Sequence, residues 1–183
     1  MKKLRHFLIP ILVILTLLFF TGCHNEHSAL RGSNGTTANK PASPDINKTL
    51  LQGNFQDEAL KKAVLNYDNV LINALRNFNT EQLLSVATPD RHSADDAYIQ
   101  GNKKKGIRIN AKLLQSNFQA GGKNGNKAHI EVVEVWGIEK VDLKTGKVIS
   151  NGEEYNYVKY GLIKNEAKWL VQTVDLTVYE PET

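Results

Sequence analysis

Two acidic residues lie where a carboxyl group could act as a base. Glu134 interrupts the apolar even-numbered face of a long strand-like stretch, and Asp175 lies between Thr173 and Thr177 on one face of the last stretch. A buried carboxyl group has a raised pKa and can accept a proton near neutral pH. The interpretation we favour places Glu134 at a bulge facing water and Asp175 on a polar outer face. The sequence therefore predicts no catalytic residue.

Other residue types that support catalysis or metal binding occur without suitable neighbours. His92 lies near Asp95 and Asp96, but no second histidine is spaced to join it as a ligand, so we expect it to be solvated. The Gly-rich stretch 121–127 lacks the strand–loop–helix context and the Ser or Thr of a phosphate loop. We predict neither a metal nor a cofactor.

The aromatic residues are candidates for ligand or partner binding rather than for catalysis. Tyr67 lies on the apolar stripe of the first predicted helix, so it is a candidate for facing a cavity or ligand. Tyr155 and Tyr157 share one face of a predicted strand, whereas Tyr160 takes the other. Core packing can account for most of these side chains, but one face carries more aromatic surface than a core needs. Tyr155, Tyr157 and Trp136 therefore form a candidate partner surface.

Cys23 is the single cysteine of the chain, which excludes an intrachain disulfide and a cysteine-based metal cluster. Residues 1–22 before it have the three parts of a secretory leader. Basic residues lie at positions 2, 3 and 5, an apolar run of 14 residues covers 7–20, and small residues follow. Because about 20 apolar residues are needed to span a bilayer as a helix, a retained transmembrane anchor is the weaker interpretation.

The segment Phe20-Thr21-Gly22-Cys23 resembles the lipobox of bacterial lipoproteins, with Phe20 at a position where Leu is commoner. The resemblance implies cleavage before Cys23 and attachment of acyl chains to its sulfur and its new amino terminus. Two or three chains, at ~0.8 kcal/mol per buried methylene, give anchoring that does not readily reverse. We predict a lipid-anchored protein on the cell membrane or the outer membrane, facing the periplasm or exterior. His24 is not the Asp associated with inner-membrane retention, so the outer membrane is the default in a host with two membranes.

The formal net charge of +4 overstates the basic character of the mature chain. The leader holds three of the 23 basic residues and none of the 19 acidic ones, so 20 basic residues face 19 acidic ones after cleavage. This balance argues against nucleic-acid binding. The basic run 103–105 is expected at a solvated helix end. Residues 23–54, rich in Asn, Ser, Gly, Thr, Lys and Pro, are predicted to form a disordered tether after Cys23.

Residues 55–183 are predicted to form one α+β domain. Apolar residues at three- and four-residue steps predict a long helix over 57–78, and two shorter helices follow, one closed by Pro89 and one opened by Ser93. From Ile107 the apolar period changes to two, which indicates an antiparallel meander. We expect N-terminal helices packed on a curved antiparallel sheet. The predicted strands begin at Ile107 and cover 128–138, 155–163 and 169–179, with turns at 121–126, 142–147 and 164–167.

The long helix, the strand Glu154–Leu162 with its Tyr-x-Tyr-x-x-Tyr pattern, and the Trp169 that opens the last strand resemble the nuclear-transport-factor-two-like superfamily of cystatin-related cones. The IMS domains of chloroplast and cyanobacterial division proteins are especially similar. The superfamily includes dehydratases, isomerases and non-catalytic scaffold modules, so the resemblance implies a fold but not one function.

The lipid anchor and the absence of a catalytic motif favour a non-catalytic module of the cell envelope. We expect it to bind a protein partner or to form a homodimer through an open face of the sheet. The alternative is a cone that encloses a small apolar ligand or acts as an isomerase or dehydratase, with Glu134, Asp175 and Tyr67 facing its cavity.

Overall fold

The structure is a computed structural model that describes residues 53–179, without the side chain of Tyr179. The predicted leader, Cys23 and nearly all of the predicted tether lie outside the described residues. No helix within 53–179 is both long enough and apolar enough to cross a membrane. The described elements are α1 (Glu58–Asn77), a 3₁₀ helix (Glu81–Ser85), α2 (Pro89–Lys104), β1 (Ile107–Asn124), β2 (Lys127–Asp142), β3 (Val148–Asn165) and β4 (Lys168–Tyr179).

Helix α1 forms where its apolar stripe predicts it. The carboxylate of Asp57 caps its first turn by accepting hydrogen bonds from the backbone N–H groups of Ala59 at 3.1 Å and Leu60 at 3.2 Å. The helix ends at Phe78, which adopts the left-handed conformation with φ of 58°. The buried side of the helix includes Asp68, an acidic residue beside the predicted apolar stripe.

Helix α2 begins one turn earlier than predicted. Thr88 is its N-cap, with its hydroxyl accepting from the N–H of Arg91 at 3.4 Å, and Pro89 is the first helical residue. Proline suits this position because the first N–H groups of a helix have no intrahelical partner. The prediction that Pro89 closes a helix and Ser93 opens the next is therefore wrong. The basic run 103–105 lies at the helix end, as expected, and Gly106 follows with φ of 74°.

The four strands form one antiparallel sheet in the order β1-β2-β3-β4, so the predicted α+β architecture is confirmed. The first hairpin is tighter than predicted, because β1 continues to Asn124 and only Gly125 and Asn126 form the turn. Register shifts in β1 follow Leu113 and Phe118. Each leaves an extra residue on β1, a device that increases the local twist and bends a strand.

The sheet has two distinct faces. The inner face carries Val132, Trp136, Val158 and Leu162, which share the main hydrophobic cluster with residues of both α-helices and the 3₁₀ helix. The outer face carries the residues that alternate with these. Over residues 132–136 both faces of β2 are buried, since Val133 and Val135 of the outer face are also inaccessible to water. No bulge lies at Glu134, where both faces of β2 are buried; the register shifts of the β1–β2 pairing lie in β1. The other two pairings each have one shift, at Ile149 of β3 and at Gln172 of β4.

Candidate functional site

A pair of buried carboxyl groups lies between α1 and the inner face of the sheet. Asp68 projects from α1 and Glu134 from β2, and each residue is only 1% exposed. The hydroxyl of Tyr160, on β3, lies 3.1 Å from Asp68 Oδ1 and 2.9 Å from Glu134 Oε1. The indole N–H of Trp136 donates to Glu134 Oε2 at 2.7 Å. One tyrosine hydroxyl therefore bridges two acids in the core.

The number of protons limits how this cluster can be arranged. A tyrosine hydroxyl has one hydrogen to donate, so two ionised carboxylates cannot both accept from Tyr160. Glu134 accepts from Trp136 as well, which favours its ionised form, whereas Asp68 Oδ2 has no hydrogen-bond partner. We therefore assign a proton to Asp68. Its carboxyl O–H donates to the Tyr160 oxygen, and the Tyr160 O–H donates to Glu134.

The pKa directions agree with a shared proton. Burial, followed by repulsion from Glu134, raises the pKa of Asp68 well above its ordinary value. Burial also raises the pKa of Glu134, against the lowering effects of the Trp136 and Tyr160 hydrogen bonds. The pKa of Tyr160 is raised well above 10.0 by burial and by both carboxyl groups. The cluster can hold and share a proton, which is the chemistry of a buried general acid or base.

Tyr67 belongs to a second buried group beside the first. Its hydroxyl donates to Asp95 Oδ2 at 2.8 Å, and Asp95 also pairs with Arg91 one turn earlier on α2. Burial, then the charge of Asp95, raises the pKa of Tyr67. The ring of Tyr67 meets the ring of Tyr160 edge to face, with centroids 6.2 Å apart. This group joins α1 to α2.

The structure corrects several of the predicted positions. Glu134 does not face water at a bulge; it is buried because the inner face of β2 is covered by α1. Asp175 is exposed on the outer face of β4, as the favoured interpretation expected, so it cannot face an interior cavity. Trp136 lies in the core and is 8% exposed, which removes it from the candidate partner surface. His92, which was expected to be solvated, lies inside α2 and is half-buried.

A surface depression of about 480 Å³ lies away from these acids. Its lining includes Lys62 and Asn66 of α1 and Lys168 and Trp169 of β4, but not Glu134, Asp68 or Tyr67. The two ammonium groups would favour an anionic ligand over the apolar one that the sequence suggested. Within residues 53–179, no group of three or more His, Cys, Asp or Glu residues could hold a metal ion.

The outer face of the sheet presents a compact aromatic and aliphatic centre. Tyr155 and Tyr157 of β3 are half-buried and lie directly opposite Val135 and Val133 of β2. The two valines are 6% and 2% exposed, although they lie outside the main core cluster. The described helices bury their apolar residues on the inner face, so no described helix covers this centre. We call these four residues the outer-face cluster.

A charged rim adjoins the outer-face cluster. Lys159 pairs with Glu131 at 3.2 Å and lies 5.7 Å from the ring centroid of Tyr157. The hydroxyl of Tyr157 donates to Glu131, which lowers the pKa of that carboxyl group together with the Lys159 ammonium. Asp175 of β4 lies opposite Lys159 across the β3–β4 ladder. An apolar centre beside a charged rim is the usual anatomy of a protein-binding surface.

Comparisons with known proteins bear on the fold. No protein-family model matches the chain, and no curated protein sequence matches it. The crystal structure of the intermembrane space region of chloroplast protein ARC6 is similar, with a TM-score of 0.61 and 12% identity over 68% of this chain and 100% of that one. An uncharacterised protein with a cystatin-like fold from Caulobacter vibrioides has a TM-score of 0.45 and 12% identity over 66% of this chain and 90% of that one. The first likeness supports the predicted cone fold.

Proposed function

We propose that this chain is a lipid-anchored protein of the cell envelope whose cone domain binds a protein partner without catalysing a reaction. The observation that supports this most is the outer-face cluster, where Tyr155 and Tyr157 lie beside buried valines of the neighbouring strand, on a sheet face that no described helix covers. Tyrosine is enriched in protein interfaces because its ring supplies apolar area while its hydroxyl remains satisfied by polar partners. Here Tyr155 donates to Glu153 at 3.0 Å and Tyr157 donates to Glu131.

The interior acids support a structural role more than a catalytic one. Glu134 and Asp68 are each 1% exposed and are surrounded by packed core residues of α1, β2 and β3. A substrate could reach them only by displacing that core, which would cost several kcal/mol for each large side chain moved. The described depression opens elsewhere.

The chemistry of the rim indicates what kind of partner fits. Glu131, Lys159 and Asp175 present both signs of charge close together, so a strongly acidic or strongly basic partner would meet like charges. We expect a folded protein that contributes an apolar centre and a mixed rim of its own. Anchoring at Cys23 would hold the domain near the membrane where such a partner is found.

Site-specific photocrosslinking tests the binding surface. A benzoylphenylalanine at position 155 in the full chain should capture one discrete protein in the host cell. The same group at Tyr98, which is 58% exposed on α2, is the matched control and should capture little. The Lys159→Glu variant should reduce the product from position 155 by disturbing the rim. Equal products from positions 155 and 98 would contradict the proposal.

Substitution of Cys23 tests the proposed lipid anchor. Replacing Cys23 with Ser should abolish incorporation of labelled palmitate and release the protein from the membrane fraction, because the thioether bond needs the cysteine sulfur. Ser33→Ala, a change in the same predicted tether, is the control and should leave both properties intact. Retention of the label in the Cys23→Ser variant would refute lipidation at this residue.

A further inference from the structure

Strand β4 forms one edge of the sheet, and only its first part is covered. The segment after the 3₁₀ helix runs parallel to it, with the Thr88 N–H donating to the Val171 carbonyl at 2.9 Å and the Val171 N–H donating to the Val86 carbonyl at 2.9 Å. No other described element pairs with this edge. From Thr173 to Tyr179 the strand pairs with β3 without a register shift. Over this stretch, the side of β4 that faces away from β3 has no strand partner among the described residues. We call it the open edge.

The open edge lacks most of the features that protect edge strands from pairing. Lysine, proline and bulges commonly block such pairing. Between Thr173 and Tyr179 there is no lysine, proline or bulge, and Asp175 is the only charged residue. Leu176 and Val178 project from the inner side of this stretch and are 53% and 56% exposed. This edge is therefore suited to accept another strand.

The alternation of hydrogen bonds between β3 and β4 shows which backbone groups of β4 point toward the open edge. Both backbone groups of Val171 point away from β3, toward Val86 and Thr88. Val171 lies opposite Leu162, so this pair exchanges no hydrogen bonds. Hydrogen-bonded and non-hydrogen-bonded pairs alternate along β3, so the pairs at Tyr160, Val158 and Asn156 exchange none either. The backbone groups of their β4 partners therefore point to the open edge. These partners are Val174, Leu176 and Val178.

We propose that the open edge pairs antiparallel with the open edge of a second copy of this chain, with the two-fold axis at Leu176. The proposal goes beyond the partner-binding function, since it uses the edge of β4 rather than the outer-face cluster. The two sheets then form one continuous sheet, and the exposed apolar side chains of both copies become neighbours on its inner side.

The register follows from side-chain direction and hydrogen bonding. Residues directly opposite in an antiparallel pair lie on the same face, so the axis must pass through a residue rather than between two. An axis at Asp175 would place two carboxylates opposite each other. An axis at Leu176 places Val174 opposite Val178 and Asp175 opposite Thr177, and it allows about six cross-strand hydrogen bonds. Axes at Asp175 or Thr177 allow only about four.

The oligomeric state of the full chain in detergent is the first test. Native mass spectrometry and sedimentation should show a dimer for the unchanged chain. Leu176→Lys places two ammonium groups opposite each other and should raise the dimer dissociation constant by about tenfold or more. Leu84→Lys is the matched control, because Leu84 is 54% exposed on the 3₁₀ helix. At a concentration low enough for the unchanged chain to be monomeric, both variants should keep its thermal midpoint, since both side chains are exposed.

Cross-linking tests the register. In the proposed dimer, the two copies of residue 176 are opposite, with Cβ atoms about 5 Å apart. The two copies of residue 178 are offset by four residues, or about 13 Å. A short bis-thiosulfonate reagent should join chains carrying Leu176→Cys far more efficiently than chains carrying Val178→Cys. The unchanged chain, with Cys23 alone, reports any product from that residue. A monomeric chain, a dimer insensitive to Leu176→Lys, or equal cross-linking at 176 and 178 would overturn the proposal.

Discussion

Tyr160 connects two acids with one hydroxyl, so the cluster around it is stable only while a proton is shared. Asp68 and Glu134 have raised pKa values in the folded chain, mainly because both are buried. Between its ordinary pKa and its raised pKa, such a group binds more protons in the folded state than in the unfolded state. Stability from these groups is therefore fully present at low pH and is lost as the pH rises.

The Asp68→Asn substitution should remove the part of this pH-dependent loss of stability that comes from Asp68. The amide can donate to Tyr160 without carrying a charge, so the free energy of unfolding should fall less steeply as the pH rises from about 4. At neutral pH the variant should be more stable than the unchanged chain, because folding no longer has to bury an ionisable carboxyl group at position 68. Urea unfolding between pH 4 and 8 measures this. Asp175→Asn, at an exposed position, should leave the profile unchanged, and an identical slope in Asp68→Asn would refute the shared proton.

Sequence reasoning found half of this cluster. Glu134 stood out because it interrupts an apolar alternation, but water exposure was the expected outcome because burial on both faces of β2 depends on packing from distant segments. Asp68 was missed, although it lies four residues after Val64 and seven before Leu75 on the same helical stripe. A carboxyl group at that position could have been recognised from the sequence as a candidate buried acid. Its pairing with Tyr160, 92 residues later, depends on the tertiary fold.

At the scale of elements, the start of α1 has a group with the opposite pH behaviour. Asp57 caps the helix and pairs with Lys123 of β1, and the Lys123 hydrogen bond is the main cause of its lowered pKa. A lowered folded pKa gives stability that is present above the ordinary value of 3.8 and is lost as the pH falls through the lowered one. This effect opposes that of the buried acids.

Removing this cap should cost a predictable amount. Asp57→Ala should lower the free energy of unfolding by about 1 kcal/mol at neutral pH, because two backbone N–H groups lose their acceptor. Chemical denaturation measures the change. Glu58→Ala is the control, since the Glu58 side chain is 80% exposed and pairs with Lys61 at the surface; it should cost about 0.5 kcal/mol or less. Equal losses in both variants would argue against the capping role.

The β3–β4 ladder contains a close approach between Gly161 and the side chain of Thr173. A Cβ atom on Gly161 would lie 2.3 Å from Thr173 Oγ1, the residue opposite it. Gly161→Ala should therefore destabilise the chain by about 1–2 kcal/mol. The double variant Gly161→Ala with Thr173→Ala should recover much of the loss, because the next atom is 3.6 Å away. Thermal unfolding of the single and double variants distinguishes steric conflict from a general intolerance of position 161.

Element order was predictable because each strand and α1 carries its own periodicity. The start of α2 was not, since Pro89 can either end a helix or occupy the first turn of the next, and both are common. The first hairpin was also placed too early. Gly121 and Gly122 suggested a turn, but they lie within β1, where a Cβ on Gly121 would meet the His129 carbonyl oxygen and the Phe55 ring.

At the scale of the whole molecule, Tyr160 joins three elements, because it lies on β3 and contacts acids from α1 and β2. Tyr160→Phe leaves two buried carboxyl groups without their shared partner. It should lower the free energy of unfolding by about 2 kcal/mol or more. Tyr157→Phe, which loses a hydrogen bond to the half-buried Glu131 on the outer face, should cost less.

The loss of stability in Tyr160→Phe should affect the whole domain, so helices and sheet should still unfold in one transition. In the unchanged chain the two probes, tryptophan fluorescence from Trp136 and Trp169 and far-ultraviolet circular dichroism, should give coincident midpoints. In Tyr160→Phe both midpoints should be lower, and they should again coincide. Separate midpoints would show that the helices leave the sheet before it unfolds, and that Tyr160 holds only a local contact.

The place where the chain joins the domain determines how the domain would bear load. At Phe55 the backbone N–H donates to the Phe118 carbonyl at 3.3 Å, and Asp57 pairs with Lys123, so the first described residues are fastened to the far end of β1. A Cβ on Gly53 would lie 1.9 Å from that same carbonyl oxygen, which shows how closely the two backbones approach. A pull on the chain ahead of Gly53 would be resisted first by these few bonds, which open one after another. Tension would detach this short segment at low force and reach α1 and the core only afterwards.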